Sequence, residues 1–289
     1  MTEDAFAVHR SLLFTVAYEM LGSASDADDV VQETWLRWAN VDQSIVRDAR
    51  AYLIRIITRQ ALNRMRTMAS RREDYVGQWL PEPLLRGPDV AEDVELSQSV
   101  SIAMLTVLET LSPPERVVFV LREVFDIPHD EIAQAVGKSP AAVRQIAHRA
   151  RAHVASRRPR IAVSAAEQQL AVDQFLAAIR NGDVQGLIDV LAPDVIVVAD
   201  GGGLVAAARQ PVEGAERVAN LMIRAMSSQN LDATPIWLNG SPGIWIDAGP
   251  GRSAAVSLAI HDSRITHVYF NANPHKLVGL ATTASLTRT

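Results

Sequence analysis

The sequence predicts a chain of three modules, two all-α domains followed by an α+β domain, and three observations lead there. Apolar residues recur at helical spacing through most of residues 5–156. Past Ser164 this texture changes, after one further pair of helices, to short β-type runs separated by glycine and asparagine turns. A length of 289 residues supports about two domains at roughly 150 residues each, and an apolar content of 48% is enough to build real cores.

The elements follow in order. Leu12, Leu13, Val16, Ala17, Met20 and Leu21 mark a first helix that Gly22 stops. Ser25 with Asp28 three residues later opens a second, carrying Val30, Val31, Thr34, Trp35 and Trp38. A third covers about 48–69, with Tyr52, Ile56, Leu62 and Met65 among its apolar positions. Residues 73–91, rich in Pro, Gly and acids, read as a linker without regular structure between a module at 1–72 and one at 92–160. In the second module a single helix is expected over 92–110. Ser112-Pro113-Pro114-Glu115 then provides a cap, a proline in the first helical turn and a capping-box glutamate. A short helix at 129–136 ends at Gly137, and Ser139-Pro140 opens another to about 156, which is the helix-turn-helix pattern. The third module, 164–289, has helices at about 165–180 and up to Leu191. β-runs follow in DVIVVAD, LVAAA, ATPIWLN, GIWIDA, SAAVSLAI and ITHVYFN, interrupted by one helix at about 213–228. The expectation is a meandering antiparallel sheet.

Composition narrows the function. Net charge is −5, yet Ala49–Arg72 holds seven Arg and no acid, and Gly137–Arg160 holds seven basic residues and no acid. Two basic stretches in an acidic chain point to nucleic acid at defined places. The absence of cysteine excludes disulfides, zinc fingers and thiol chemistry, and no cofactor or metal is expected. No apolar run approaches the 18 residues of a membrane span, and the acidic start MTEDAFAVHR is unlike a signal peptide, so a cytoplasmic location with no membrane partner is expected.

In the helix from Ser139, Val143, Ile146, Ala147, Ala150 and Val154 share one face, while Arg144, Gln145, His148, Arg149 and Arg151 point elsewhere. Such a helix packs by its apolar side and offers donors to base edges and phosphates by the other. The 49–72 helix interleaves arginines with Tyr52, Gln60 and Asn63, a mixture suited to single-stranded or melting DNA. Asp26, Asp28, Asp29 and Glu33 crowd the start of the second helix beside Trp35 and Trp38. This fits either a helix dipole or a protein-docking face with an aromatic anchor.

SASDADDVVQETWLRW with DARAYLIRIITRQALNRMR resembles region 2 of bacterial sigma factors of the extracytoplasmic-function group. LSPPERVVFVLREVFDIPHDEIAQAVGKSPAAVRQIAHRAR resembles their region 4. The resemblance implies core RNA polymerase, through its β′ clamp helices and β flap, and promoter DNA as partners. It implies polymerase docking by Asp28, Asp29, Gln32, Glu33 and Trp35, and −10 reading by Tyr52, Arg55, Arg59, Asn63 and Arg64. It implies −35 reading by Ser139, Arg144, Gln145, His148 and Arg149. The resemblance implies that the polymerase performs the chemistry and that this chain directs where it starts.

The third module resembles the SnoaL-like, cystatin-like cone fold, through Asp200-Gly201-Gly202-Gly203, Trp237-Leu238-Asn239-Gly240 and Asn273-Pro274-His275-Lys276-Leu277. It departs from the family pattern at Leu204, where Lys is usual, and at His275, where Asp is usual. Asn239-Gly240 is a hairpin-turn signal. The expected regulatory residues are Asp200, Gly201, Gly202, Gly203, Asn273, Pro274, Lys276 and Leu277, touching the 73–91 linker or the first module and setting the spacing of the two DNA readers. The same fold hosts isomerases and cyclases, and Asp200, Asp247, His261, His267 and Tyr269 are the polar candidates, with His267 placed to line the cone. No Asp-His pair with motif-grade spacing emerges, so catalysis is not expected. An unidentified small ligand or a separate anti-sigma protein remains a candidate partner. The alternative functions are a ligand-sensing or enzymatic SnoaL-like domain fused to a helix-turn-helix regulator, or a plain repressor.

Overall fold

The structure is a computed structural model that describes residues 5–73, 75–85, 94–157, 164–227, 231–249, 252–281 and 286–287. Arg158 and Arg160 of the second basic stretch, residues 74 and 86–91 of the linker and residues 92–93 lie outside the described residues, as do the side chains of Arg71 and Arg72. The chain divides into two compact units: Met1–Glu73 with Leu105–Arg158 and Ser285–Thr289, and Asp74–Met104 with Pro159–Ala284.

The first unit is all helix. α1 (Ala5–Leu21), α2 (Ala24–Ala39) and α3 (Ala49–Glu73) bury Leu12, Leu13, Val16, Tyr18, Val30, Val31, Trp38, Leu53 and Ile57 against one another. The second helix starts earlier than its sequence suggests. Ser23, not Ser25, is the cap, its hydroxyl accepting from the Asp26 amide at 3.1 Å. A 3₁₀ turn at Gln43–Ile45, held by Asp42, connects α2 to α3.

α6 (Pro113–Phe119) continues through a π-helical turn at Val120–Val124, and α7 (His129–Val136) and α8 (Pro140–Arg157) form the helix-turn-helix. Gly137, at φ 68°, ends α7 in the left-handed conformation, which a glycine adopts without a Cβ clash. Val143, Ile146, Ala147, Ala150 and Val154 are the buried face of α8, as their spacing predicts. Arg116 of α6 is buried. It donates from Nε to the Glu19 carbonyl at 3.1 Å and pairs through Nη1 with Glu109 at 2.7 Å, joining α1 to the second helical block. Near the C-terminus, Leu286 is buried and the Thr287 amide donates to the Thr15 hydroxyl.

The single helix expected at 92–110 is two: α4 (Val94–Ser99) and α5 (Ile102–Leu108). Ser101 causes the break by capping α5, its hydroxyl accepting from the Met104 amide, while the Val100 carbonyl turns away to accept from Asn239 at 2.8 Å.

The second unit is α+β. α9 (Ala165–Asn181), α10 (Val184–Val190) and α11 (Ala215–Ser227) cover one face of a six-stranded sheet of order β2-β1-β6-β5-β4-β3. The strands are β1 (Leu191–Asp200), β2 (Val212–Glu213), β3 (Asp232–Leu238), β4 (Ser241–Asp247), β5 (Ser253–His261) and β6 (Arg264–Asn271). The last four form the expected antiparallel meander, but β1 pairs with β6 in parallel. The α11 crossover carries the chain to the far edge, and the meander then returns to meet β1. The LVAAA run is not a strand. Leu204 and Val205 fold back into the turn, both amides donating to the Gly201 carbonyl, and only Val212–Glu213 pairs with β1.

Alternation along the strands sorts the two faces of the sheet. Val195, Val197, Val256 and Val268 pack with Val172, Phe175, Leu176 and Leu187 of the helices. Val198, Ala259 and Tyr269 pack on the other face with Leu80, Ile102 and Ala103. His267 has the parity of Tyr269 and stacks on its ring at 5.8 Å, so it belongs to this second face and does not line the interior beneath the helices. Burial holds its imidazole below the ordinary value, with Asp194 partly opposing.

Candidate functional site

Three groups of side chains carry the candidate chemistry, and the best defined lies in the second unit. Asp200, the last residue of β1, is fully buried and its two oxygens accept four hydrogen bonds. Tyr75 Oη donates to Oδ1 at 2.5 Å and the Gly202 amide to the same oxygen at 3.0 Å; the Leu80 amide donates to Oδ2 at 2.9 Å and Lys276 Nζ at 2.7 Å. Burial, and then the Asp200 carboxylate, push the Tyr75 phenol above its ordinary range, so it stays a donor.

Lys276 sits in α12 (Pro274–Leu277), capped by Asn273, and is 4% exposed. Its ammonium also donates to the Leu80 carbonyl at 2.5 Å and lies 3.2 Å from the centre of the Trp79 ring and 5.0 Å from that of Tyr75. A carboxylate, a carbonyl and two ring faces thus replace its water shell.

The same segment is gripped further along. Asn271 donates to the Pro81 carbonyl at 3.1 Å, and Asn273 donates to Tyr75 Oη at 2.8 Å. Asn239, at φ 53° in the β3–β4 turn, accepts from the Leu84 amide through Oδ1 and donates its own amide to the Leu84 carbonyl, both at 2.9 Å. Gly202 is required twice over. Its φ is 60°, and a Cβ there would stand 2.4 Å from Asn273 Nδ2. Gly203 lets Val76 approach, and Gly201 faces the Val205 carbonyl.

Residues 75–85 therefore lack regular structure, as expected, but they are no free tether. Leu80 and Leu84 are buried, and polar side chains of the sheet face satisfy main-chain groups at Leu80, Pro81 and Leu84. Tyr75, Trp79, Asn239 and Asn271 were not among the expected site residues. Asn239 was hidden because Asn-Gly already has a sufficient turn explanation. The apolar content of Trp79-Leu80 and Leu84-Leu85 was the available signal, being high for a solvated linker.

The other two groups lie in the first unit. On α8, Arg144, Gln145, His148 and Arg149 are exposed along one side, and Ser139 caps the helix through the Ala142 amide. Arg151 is turned away from this set into a two-bond pair with Glu123 at 2.7 and 3.2 Å. On α3, Arg55 lies over the Tyr52 ring at 4.9 Å, and Arg59 and Asn63 are exposed. Arg59 donates to the Gln134 and Ala135 carbonyls, which lie in the last turn of α7 and have no partner within that helix. On α2, Asp29, Gln32, Glu33 and Trp35 are exposed, Trp35 to 47%, and Asp28 is half-buried near Arg10.

Among the described residues no group of acids, histidines or cysteines is placed to hold a metal ion, and no helix is long and apolar enough to cross a membrane.

Comparison with known proteins gives the class first. Residues 5–72 match the family model for Sigma-70 region 2, and residues 101–154 that for Sigma-70, region 4. The chain belongs to the extracytoplasmic-function family of RNA polymerase sigma factors and is an alternative sigma factor with an appended α+β domain. It is 33% identical to the ECF RNA polymerase sigma factor SigJ of Mycobacterium tuberculosis, over 96% of this chain and 94% of that one. It is 31% identical to a probable ECF RNA polymerase sigma factor, SigI, of the same species, over 94% and 93% of the two chains. The crystal structure of M. tuberculosis SigJ superposes with a TM-score of 0.79 at 30% identity, covering 95% of this chain and 98% of that one. Both helical blocks, the connecting segment and the α+β domain fall within that match.

Proposed function

We propose that this sigma factor binds core RNA polymerase through α2, reads the −10 element with α3 and the −35 element with α8, and is controlled in cis by its α+β domain through the connecting segment. The polymerase surfaces are the β′ clamp helices for Asp28, Asp29, Gln32, Glu33 and Trp35, and the β flap for the helix-turn-helix module. Tyr52, Arg55, Arg59, Asn63 and Arg64 serve the −10 element, and Ser139, Arg144, Gln145, His148 and Arg149 the −35 element. We assign no chemistry to the α+β domain.

The observation that carries the regulatory part is the capture of residues 75–84 by Asp200, Asn239, Asn271 and Lys276. A segment joining two DNA readers sets their reach, and one held by buried polar groups has a single reach until it is released. Gly201, Gly202, Gly203, Asn273, Pro274 and Leu277 support that capture by shaping the turn and the short helix that present Asp200 and Lys276.

Run-off transcription with core polymerase and the full chain, on promoter fragments selected from a random library, tests the whole reading. Promoter-dependent transcripts are expected, and a folded protein that fails to bind core would favour a repressor instead. Arg144→Ala and Gln145→Ala are each expected to cost about 1–3 kcal/mol of discrimination at the −35 element. An equal loss on every sequence would mark them as phosphate contacts.

A further inference from the structure

We propose that a cavity between the connecting segment and the turn after β1 binds a small apolar monocarboxylate, which locks the captured segment in place. The locking role rests on the capture reading given above, whereas the binding is measured without polymerase.

The cavity has a volume of about 210 Å³, and every residue that lines it belongs to the second unit. One wall is Val76 and Gly77 of the connecting segment. The other is Ala199 with turn residues 201 and 203–209. The walls are pinned at both ends. At one end Tyr75 Oη donates to Asp200 Oδ1, and at the other Gln78 Nε2 donates to the Arg209 carbonyl at 3.3 Å. Between those bonds Val76 packs on Gly203, its Cβ 3.0 Å from the point that a Cβ on Gly203 would occupy. The turn keeps its own shape, since the Leu204 and Val205 amides both donate to the Gly201 carbonyl. The site is therefore formed before any ligand arrives.

Its chemistry is that of an apolar pocket with one cation. The lining is glycine, alanine, valine and leucine, and among the described lining residues Arg209 alone carries a charge. Val76 is 50% exposed and Leu204 60%, so two apolar side chains of the lining face water. Arg209 is exposed, and among the described residues no carboxylate pairs with its guanidinium. A planar guanidinium matches a carboxylate with two parallel hydrogen bonds, and a single cation beside apolar walls suits one negative charge better than a phosphate dianion. A cavity of about 150 Å³ accepts a benzene ring, so this one takes a body of roughly six to eight carbon atoms. A molecule seated there touches both walls, and it loses one of them when the segment leaves. That difference in affinity favours the captured state.

The experiment titrates the full chain with hexanoate by calorimetry, beside hexanol, which lacks the charge, and acetate, which lacks the apolar body. Hexanoate is expected to bind once per chain with a Kd on the order of 1 mM. Hexanol and acetate should each bind about tenfold more weakly. Arg209→Gln is expected to weaken hexanoate about tenfold and to erase its advantage over the alcohol. With hexanoate at ten times its Kd, limited proteolysis within residues 75–85 should slow about tenfold, because only the closed segment offers both walls. Should Arg209→Gln lose its folded signal, the comparison of the three ligands on the parent protein carries the same test. No hexanoate binding, equal binding of hexanol or acetate, or undiminished binding by folded Arg209→Gln overturns the site. Saturable binding with unchanged or faster proteolysis overturns the locking role. A failure of run-off transcription would instead count against the function proposed above, since the titration involves no polymerase.

Discussion

Replacing Lys276 with Met is expected to destabilise the α+β unit by about 3–5 kcal/mol, because it leaves the Asp200 carboxylate buried without its counter-ion. Asp200 is 0% exposed and Lys276 4%, so solvent does little to screen the loss. A buried pair is a weak source of net stability compared with apolar packing, but removing one member costs far more than the pair contributes. The Leu80 carbonyl also loses a donor, and the Trp79 and Tyr75 rings lose the cation they face. Urea unfolding followed by tryptophan fluorescence reads the effect, since Trp79 lies against the ammonium. Adding Asp200→Asn removes the orphaned charge and should recover part of the loss, so the two substitutions will not add. The linker should at the same time become a preferred site of limited proteolysis near residues 75–85, and promoter-spacing selectivity in run-off transcription should broaden. An unchanged unfolding midpoint would mean that the pair does not hold the segment.

The second large effect belongs to the helical unit. Arg116→Met is expected to lower its stability by about 3–5 kcal/mol, again by removing one member of a largely shielded ion pair, here the buried guanidinium. Arg116 is 2% exposed and its partner Glu109 12%, and the same guanidinium satisfies the carbonyl of Glu19 on α1. One side chain therefore serves both helical blocks, and its loss should loosen region 2 from region 4 rather than fray one helix. Differential scanning calorimetry should show the helical transition falling while that of the α+β unit stays in place. Arg10→Ala is the contrast. Its pair with Asp28 is 3.5 Å long and at least half exposed on both sides, and the expected change is below about 0.5 kcal/mol. Equal effects from the two substitutions would refute the burial argument.

Much of this molecule was legible in the sequence because helical periodicity and capping are local. The apolar stripe of α8, the left-handed Gly137 and the exposure of Arg144, Gln145, His148 and Arg149 follow from residues within a few positions of one another. The errors were local as well. Ser23 outcompeted Ser25 as a cap, and Ser101 divided a helix that its apolar content would have continued. The LVAAA run has strand composition but no neighbour to pair with, and composition does not supply hydrogen-bond partners.

By itself, then, the sequence determined the order of helical sigma-type segments followed by an α+β domain, and it located two basic helices in an acidic chain and the DGGG and NPHKL segments. Only the tertiary structure decided what those segments hold. Asp200 and Lys276 are 76 positions apart and Asp200 and Tyr75 are 125 apart, and no local pattern encodes pairs at such distances. The linker was expected to meet the DGGG and NPHKL segments, and it does, but the groups that hold it could not be read for the same reason. Its prolines and glycine forbid regular structure, which in a sequence looks like freedom, whereas here its main-chain groups are satisfied by side chains from a sheet that begins more than a hundred residues later.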